Sequence, residues 1–307
     1  MSPQLDQSRQ ANRLVRVCSR HINRNPLGLL TALACVLASP ADINVDAAQK
    51  SGVPSVFVEA DDDLAKQGSI TAKGGFRNED EIRDKFNHWK TDKNSMAWLK
   101  IMGHDLQRIE SVQTNKPHGY KADVEVVVNT KSQSVTDRLS IKLVSSADGF
   151  NQIDKRWLKT YAQMWKMPPN VVAGLKLYLG EHKPTGSSRR PDRMYLNEIS
   201  EAQRNAVIKF FQSHKDDIVS DLIRGDGEHS ANWFMVTQKA TENPRWVLRP
   251  TAEVVKFYSE GPVQMTRFGN LKIGRISMQR KGGDNGRETA KMLQFKMNPA
   301  LLFPQNK

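Results

Sequence analysis

In RLSIKLV (residues 138–144) a lysine, Lys142, interrupts an apolar run that otherwise has the character of a buried strand, and nineteen positions upstream Asp123 opens a second such run, ADVEVVV. If the two runs lie side by side as strands, the carboxylate and the ammonium project from neighbouring strand ends into one cleft. A carboxylate there can hold Mg²⁺, which polarises a phosphodiester and lowers the pKa of its water. The lysine can orient that water and stabilise charge growing on the phosphorane. Ser140 lies between them in sequence and on the same strand as Lys142. The plain alternative is a structural ion pair at a sheet edge, and Asp, Ser and Lys alone favour that alternative, because the triplet is short and common.

The elements that would position these residues are legible from periodicity. NEDEIRDKFNHWK (78–90) puts Ile82, Phe86 and Trp89 on one face, with acids in the first turn, and predicts an amphipathic helix. ADVEVVV and LSIKLV, separated by the polar NTKSQSVTDR, predict two neighbouring strands joined by a turn. Ile153, Trp157, Tyr161 and Trp165 recur at every fourth position, which predicts a helix that ends before Pro168 and Pro169 and buries an aromatic stripe as core, not as a cofactor box. Ser200 with Gln203 forms a capping box ahead of EAQRNAVIKFFQSH, and WFMVTQK, RWVLR and LKIGRISMQRK supply three later strands. The sum is an α/β or α+β fold, a mixed β-sheet flanked by helices.

Composition narrows the partners. A chain of 307 residues can bury a large core without disulfides or metals. Its 46 Lys and Arg against 33 Asp and Glu give a net charge of +13, which favours a polyanionic partner, most often nucleic acid. The mean hydropathy of −0.59 is ordinary for a soluble protein. Cys18 and Cys35 are too few for a disulfide framework and have no zinc-site spacing, which fits a reducing cytoplasm. PLGLLTALACVLASPA (26–41) mimics a secretory signal but follows a long arginine-rich stretch, so a short amphipathic helix or sequence upstream of the true start is expected there. It is too short to cross a membrane. The polar, acidic SGVPSVFVEADDDLAKQGS reads as a linker, dividing the chain into an extension, residues 1–65, and a main domain, residues 66–307.

Four blocks carry a resemblance: TAKGGFRNE (71–79), GYKAD (119–123), IKLVSSADGFNQIDKRWL (141–158) and QRKGGDNGRETAKMLQFKMNP (279–299). In these blocks, and across roughly Ser69 to Phe303, the sequence resembles the PD-(D/E)XK nuclease superfamily, and more closely the HinPI-type type II restriction endonucleases, which cleave duplex DNA at GCGC. The resemblance implies a restriction-endonuclease-like core, Mg²⁺ as cofactor and double-stranded DNA as partner. It also implies a separate cognate cytosine methyltransferase in the same system, with the chain itself a monomer or homodimer. By position, Asp123 matches the metal-binding aspartate and Lys142 the catalytic lysine, and the backbone carbonyl of Ile141 counts as a metal ligand. Ser140 departs from the pattern, which has an acid there in the superfamily and an amide in the HinPI type, and a hydroxyl is at best a weak oxygen ligand. Glu125, two residues beyond Asp123 on the same strand face, and Glu79, on the first helix, are further carboxylate candidates. A solvated face and a helix-dipole role are their respective alternatives.

Candidate DNA contacts fall in the later blocks. The GFNQ segment (149–152) reads as a surface turn in which Phe150 suits a wedge between base steps with Gln152 at its tip, although Phe150 equally fits the first core position of the helix behind it. From Met265 to Lys307 there are nine Lys and Arg against two acids. There QRKGGDNGRETAKML reads as a flexible basic loop, with a solvated turn followed by an ordinary helix from Glu288 as the alternative. Arg280, Lys281 and Arg287 can pair with guanine or with phosphates, and Asp284 can accept from cytosine N4. Gln279 and Asn285 in the same block, and Lys155 in the block before it, are counted with them. The sequence therefore reads as a type II restriction endonuclease. A nicking or repair nuclease of the same fold, and a DNA-binding protein that has lost catalysis, are the alternatives.

Overall fold

The computed structural model describes residues 56–145, 149–240, 244–283 and 287–304, with side-chain surroundings from Ser69 onward. The described residues lie in one compact unit that begins at Pro54. The expectations for residues 26–41 fall outside them. The helices are α1 (Val56–Asn87), α2 (Lys93–Ile101), α3 (Leu158–Met164), α4 (Pro169–Leu179), α5 (Glu201–Ser213), α6 (Lys215–Arg224) and α7 (Thr251–Ser259). One five-stranded sheet runs β1 (Ile109–Asn115), β2 (Val124–Thr130), β3 (Ser134–Val144), β5 (Trp233–Gln238), β6 (Arg245–Pro250). It is mixed, because β3 and β5 pair in parallel while its other neighbours are antiparallel. The second sheet, ordered β4 (Asn151–Arg156), β10 (Leu293–Met297), β9 (Ile276–Arg280), β8 (Leu271–Ile273), β7 (Val263–Met265), is antiparallel throughout. The mixed sheet flanked by helices that the sequence suggests is thus present, and a second, antiparallel sheet joins it. No helix among the described residues is long and apolar enough to cross a membrane.

Strand parity explains the interrupted apolar run. Val124, Val126 and Val128 of β2 and Leu139 and Ile141 of β3 point to one face, where they pack with Ile82 and Phe86 of α1 and with Trp98 and Leu99 of α2. Because successive side chains alternate, Asp123, Glu125, Ser140 and Lys142 are left on the other face. That face looks towards a larger core, built from α3 to α7, the inward residues of β5 (Phe234, Val236) and the inner side of the second sheet (Ile273, Met278, Phe295). Lys142 is therefore an outward position of a half-buried strand.

Four local expectations are corrected. The stripe from Ile153 to Trp165 is not one helix: Ile153 lies in β4, Trp157 caps α3 and is 39% exposed, while Tyr161 and Trp165 enter the core and stack with ring centroids 4.6 Å apart. LKIGRISMQRK is not one strand but the β8–β9 hairpin. It turns at Gly274, whose φ of +55° and whose approach to Tyr258 O, 2.4 Å from an added Cβ, both exclude a side chain. The GFNQ segment is only half a turn, because Asn151 and Gln152 already belong to β4. The predicted helix over 78–90 forms the end of α1, which starts at Val56, so the stretch read as a linker is largely helical and residue 65 falls inside α1. The Ser200 capping box is formed, with Gln203 N–H donating to Ser200 Oγ at 3.3 Å.

Phe86 is fully buried where α1 meets the first sheet, in ring contact with Trp98 at 5.3 Å. Truncating so enclosed an aromatic leaves a cavity as well as lost apolar burial. Phe86→Ala is expected to cost about 3–5 kcal/mol, read as a lower urea midpoint at unchanged slope. An unchanged midpoint would show that α1 is held by something other than this anchor.

Candidate active site

Asp123 sits one residue before β2, where its backbone N–H donates to Leu139 O at 2.8 Å and continues the register that pairs Val124 with Leu139. Its Oδ2 is the focus of the site. It accepts from Ile141 N–H at 2.6 Å, from Ser140 Oγ at 3.4 Å and from Lys142 Nζ at 3.4 Å. Lys142 also donates to the Ile141 carbonyl at 2.9 Å. Asp123, Ser140, Ile141 and Lys142 are thus brought together as the sequence anticipates. Asp123 and Lys142 remain half-buried, within reach of water, while Ser140 is buried. They line a cleft of about 710 Å³ whose wall also includes Tyr120, Lys121 and His229.

The two further carboxylates differ. Glu79 on α1 is ion-paired with Lys116 at 3.2 Å. Burial, and then the negative charge of Asp123, push its pKa above the ordinary 4.5 against the pull of Lys116 and Lys142. The influence of its charge marks the Asp123 carboxylate as a neighbour of Glu79. Glu125 shares the face of Asp123 but is committed elsewhere: it accepts from Arg138 Nε at 3.1 Å, directly across the β2–β3 register, and pairs with His229 Nδ1 at 2.7 Å. It is neither solvated nor turned to Asp123. Among the described residues no group of three or more His, Cys, Asp or Glu could hold a metal ion. The donors that do converge, a carboxylate, a peptide carbonyl and a hydroxyl, are all hard oxygens. Such a sparse oxygen set suits Mg²⁺, which keeps several waters and takes one or two carboxylates plus substrate phosphates.

Sequence reasoning missed a buried charge cluster on the far wall of the cleft. Lys121 donates to Asp154 Oδ2 and, at 2.9 Å, to Ile153 O, while Asp154 also accepts from Tyr161 OH and from Arg156 Nε at 3.0 Å. Burial pushes the Asp154 carboxyl up, but Lys121, Tyr161 and Arg156 outweigh it and hold it below its ordinary range. It missed His229 too, whose ring lies 4.1 Å from that of Tyr120. GYKAD and IDKRW contain most of these residues, yet nothing in their spacing shows that they meet.

The candidate DNA contacts gather on the second sheet. Phe150 is 59% exposed, ahead of β4, so the reading of it as a core residue does not hold. Gln152 is exposed and accepts from Gln294 Nε2 at 2.7 Å, and Gln279 Nε2 reaches Gln294 Oε1 at 3.5 Å, forming an amide row across β4, β10 and β9. Gln294 is a member that the sequence did not suggest. Lys155 is half-buried on β4. Arg280, at the end of β9, is pinned by Asp192 at 2.6 Å and by Ala290 O at 3.1 Å, with its side chain 13% exposed. Lys281 is half-buried and Arg287 is exposed. Asp284 and Asn285 lie outside the described residues. The alternative of an ordinary helix from Glu288 does not form: Glu288–Lys291 is a short 3-10 turn between β9 and β10.

The model of the R.HinP1I restriction endonuclease family matches residues 102–303, a span that holds Asp123, Ser140, Lys142 and the whole second sheet. Among solved structures, the chain is similar to restriction endonuclease MspI, crystallised in complex with its cognate DNA, with a TM-score of 0.53 and 14% identity over 77% of this chain and 95% of that one. At that identity the likeness is one of fold. No curated protein matches the chain.

The raised pKa of Glu79 fixes the sign of a pH effect. A carboxyl whose folded pKa exceeds its unfolded one stabilises the fold while protonated. That stability is complete below the unfolded value and is lost as pH rises through the folded value. The wild-type urea midpoint is therefore expected to carry a falling contribution from Glu79 as pH rises above 4.5, and Glu79→Gln to remove it. Identical slopes for the two proteins would mean that Glu79 is solvated like any surface acid.

Proposed function

Because the chain belongs to the R.HinP1I restriction endonuclease family and so is a type II restriction enzyme that cuts DNA, we propose that it makes Mg²⁺-dependent double-strand cuts at GCGC. The observation that carries the reading is the convergence of Ile141 N–H, Ser140 Oγ and Lys142 Nζ on Asp123 Oδ2 at the wall of an open cleft. A bound Mg²⁺, held by Asp123, the Ile141 carbonyl and the Ser140 hydroxyl with Glu79 nearby, would supply Lewis-acid polarisation and a more acidic water. The hydrogen bond from Ile141 fixes one carboxylate oxygen, so Asp123 meets the phosphate in a set orientation. Lys142 holds the attacking water and neutralises charge on the phosphorane, preorganised by its bond to the Ile141 carbonyl. Glu125 takes no part in this set, since Arg138 and His229 engage it.

Duplex DNA as the ligand is supported by the net charge of +13 and by the cognate DNA in the MspI structure. At the second sheet, exposed Phe150, just ahead of β4, is the wedge, and exposed Gln152, held from behind by the buried Gln294, meets base edges. A separate cytosine methyltransferase would protect the same site, and the enzyme acts as a monomer or homodimer. Plasmid incubated with and without Mg²⁺ tests the finer reading: discrete fragments that end within GCGC and form only with the metal support it, whereas nicked circles or fragments ending elsewhere overturn it.

Asp123→Asn and Lys142→Met should each lower single-turnover cleavage by about 10²–10³-fold or more, while specific binding with Ca²⁺ in place of Mg²⁺ persists. Near-normal turnover by either variant would remove that residue from the site. The two loop arginines should behave differently. Arg287, exposed, is the one expected to fork onto a guanine, so Arg287→Ala should lose about 1–3 kcal/mol on GCGC duplex and little on scrambled duplex. Arg280→Ala, which frees Asp192, should weaken both duplexes alike; titrations at several salt concentrations decide between base and backbone contact.

A further inference from the structure

The segment that carries Asp123 meets the second sheet through a buried ion pair. Lys121 stands two residues before Asp123, and its ammonium donates to Asp154 Oδ2 and to Ile153 O, both on β4. Gln152, at the head of the amide row, is the residue next to Ile153 on that strand. Asp154 is locked in turn by Tyr161 OH and by Arg156, whose Nε and terminal nitrogen lie 3.0 and 3.2 Å from its two oxygens. The stem of Lys121 has little room to swing. Gly225, which follows α6 at φ +73°, lies so close that an added Cβ would sit 2.6 Å from Lys121 Cγ. The Lys121 and Asp154 side chains are only 14% and 7% exposed, so the pair is shielded from water and salt.

We propose that Lys121 is a positioning residue that couples the seating of DNA on the second sheet to the placement of the Asp123 carboxylate. Resting on the endonuclease reading, the inference follows from stiffness and reach. Charge-assisted hydrogen bonds are directional, and two residues of chain span no more than about 7 Å. A displacement of β4 on engaging a duplex is therefore passed to Asp123 instead of being absorbed between them. Misplacing a reacting group by about 1 Å can lower a rate by about 10²-fold. A duplex that seats poorly on β4 would consequently bind without being cut at speed.

Lys121→Met keeps the stem against Gly225 and removes the ammonium. The expected result is a roughly 10²-fold slower single-turnover cut of prebound GCGC duplex, with its dissociation constant in Ca²⁺ unchanged and a smaller rate difference between GCGC and single-mismatch duplexes. Since stranding Asp154 alone can unfold the region, the double variant Lys121→Met with Asp154→Asn is measured beside it. Coupling predicts that the double variant regains thermal stability but not the cutting rate, and that Lys121→Arg regains part of the rate. Recovery of rate and stability together, or a Lys121→Met protein as fast and as selective as wild type, overturns the proposal. A wild-type protein that cuts no duplex overturns the endonuclease reading itself.

Discussion

The hydrogen bond from Ile141 N–H to Asp123 Oδ2, 2.6 Å long, depends on one register, that of β2 against β3. The register is enforced from the opposite face. Val124, Val126, Val128, Leu139 and Ile141 are buried under α1 and α2, and a slip of one residue would turn that whole set towards the cleft and bury the charges in its place. Each apolar side chain buried there is worth about 1.5–3 kcal/mol, so several together far exceed the stabilisation available to a half-exposed Asp–Lys pair. The apolar pattern decides where the chemistry points. Lys142 interrupts a hydrophobic run because it occupies the alternate position of a strand whose other face is core.

The cleft is bounded by two different kinds of charge pairing. On the α1 side, Glu79 shares Lys116 with Asp80, and a carboxyl with a raised pKa stands beside Asp123. On the β4 side, Asp154 is held ionised by a lysine, an arginine and a tyrosine in a dry setting. The Glu79 carboxyl is paired with one lysine, whereas both oxygens of Asp154 are engaged, by Lys121, Arg156 and Tyr161 together. The more densely bonded wall is also the side of the amide row and Phe150.

Much of this was legible in the sequence where pattern length matched element length. The β2–β3 hairpin was readable because valines and leucines alternate over enough residues to exclude a helix, and the end of α1 because Ile82, Phe86 and Trp89 share one helical face. Pattern failed where two short elements presented one apparent period. Ile153 on β4 and Tyr161 on α3 reach the same core from a strand and a helix, so their spacing imitates a single helix. The second sheet was obscured by shortness, since β7 and β8 have three residues each. Asp123, Ser140, Ile141 and Lys142 do lie together, but Lys121 and its partner Asp154 are separated by 33 positions, and Glu125 and its partner His229 by 104. No local spacing encodes such a meeting. Arg280 shows another long-range partner that no local pattern encodes, since its guanidinium meets Asp192, 88 positions away.

Ser140 gains a physical sense from this arrangement. It is 2% exposed, with its hydroxyl 3.4 Å from Asp123 Oδ2. An acid at that position would be a second carboxylate in a confined space beside Asp123, where burial and then the charge of Asp123 already raise the pKa of Glu79. Lys142 is the cation within reach of that carboxylate, and Lys121 is spent on Asp154. A neutral hydroxyl avoids this repulsion and can donate to Asp123, which an ionised acid cannot do. The same choice leaves a divalent cation with fewer anionic ligands from the protein. A cation bound there would draw the rest of its shell from water, the Ile141 carbonyl and the oxygens of a phosphate, so its affinity at a site of this composition would be tied to the presence of nucleic acid.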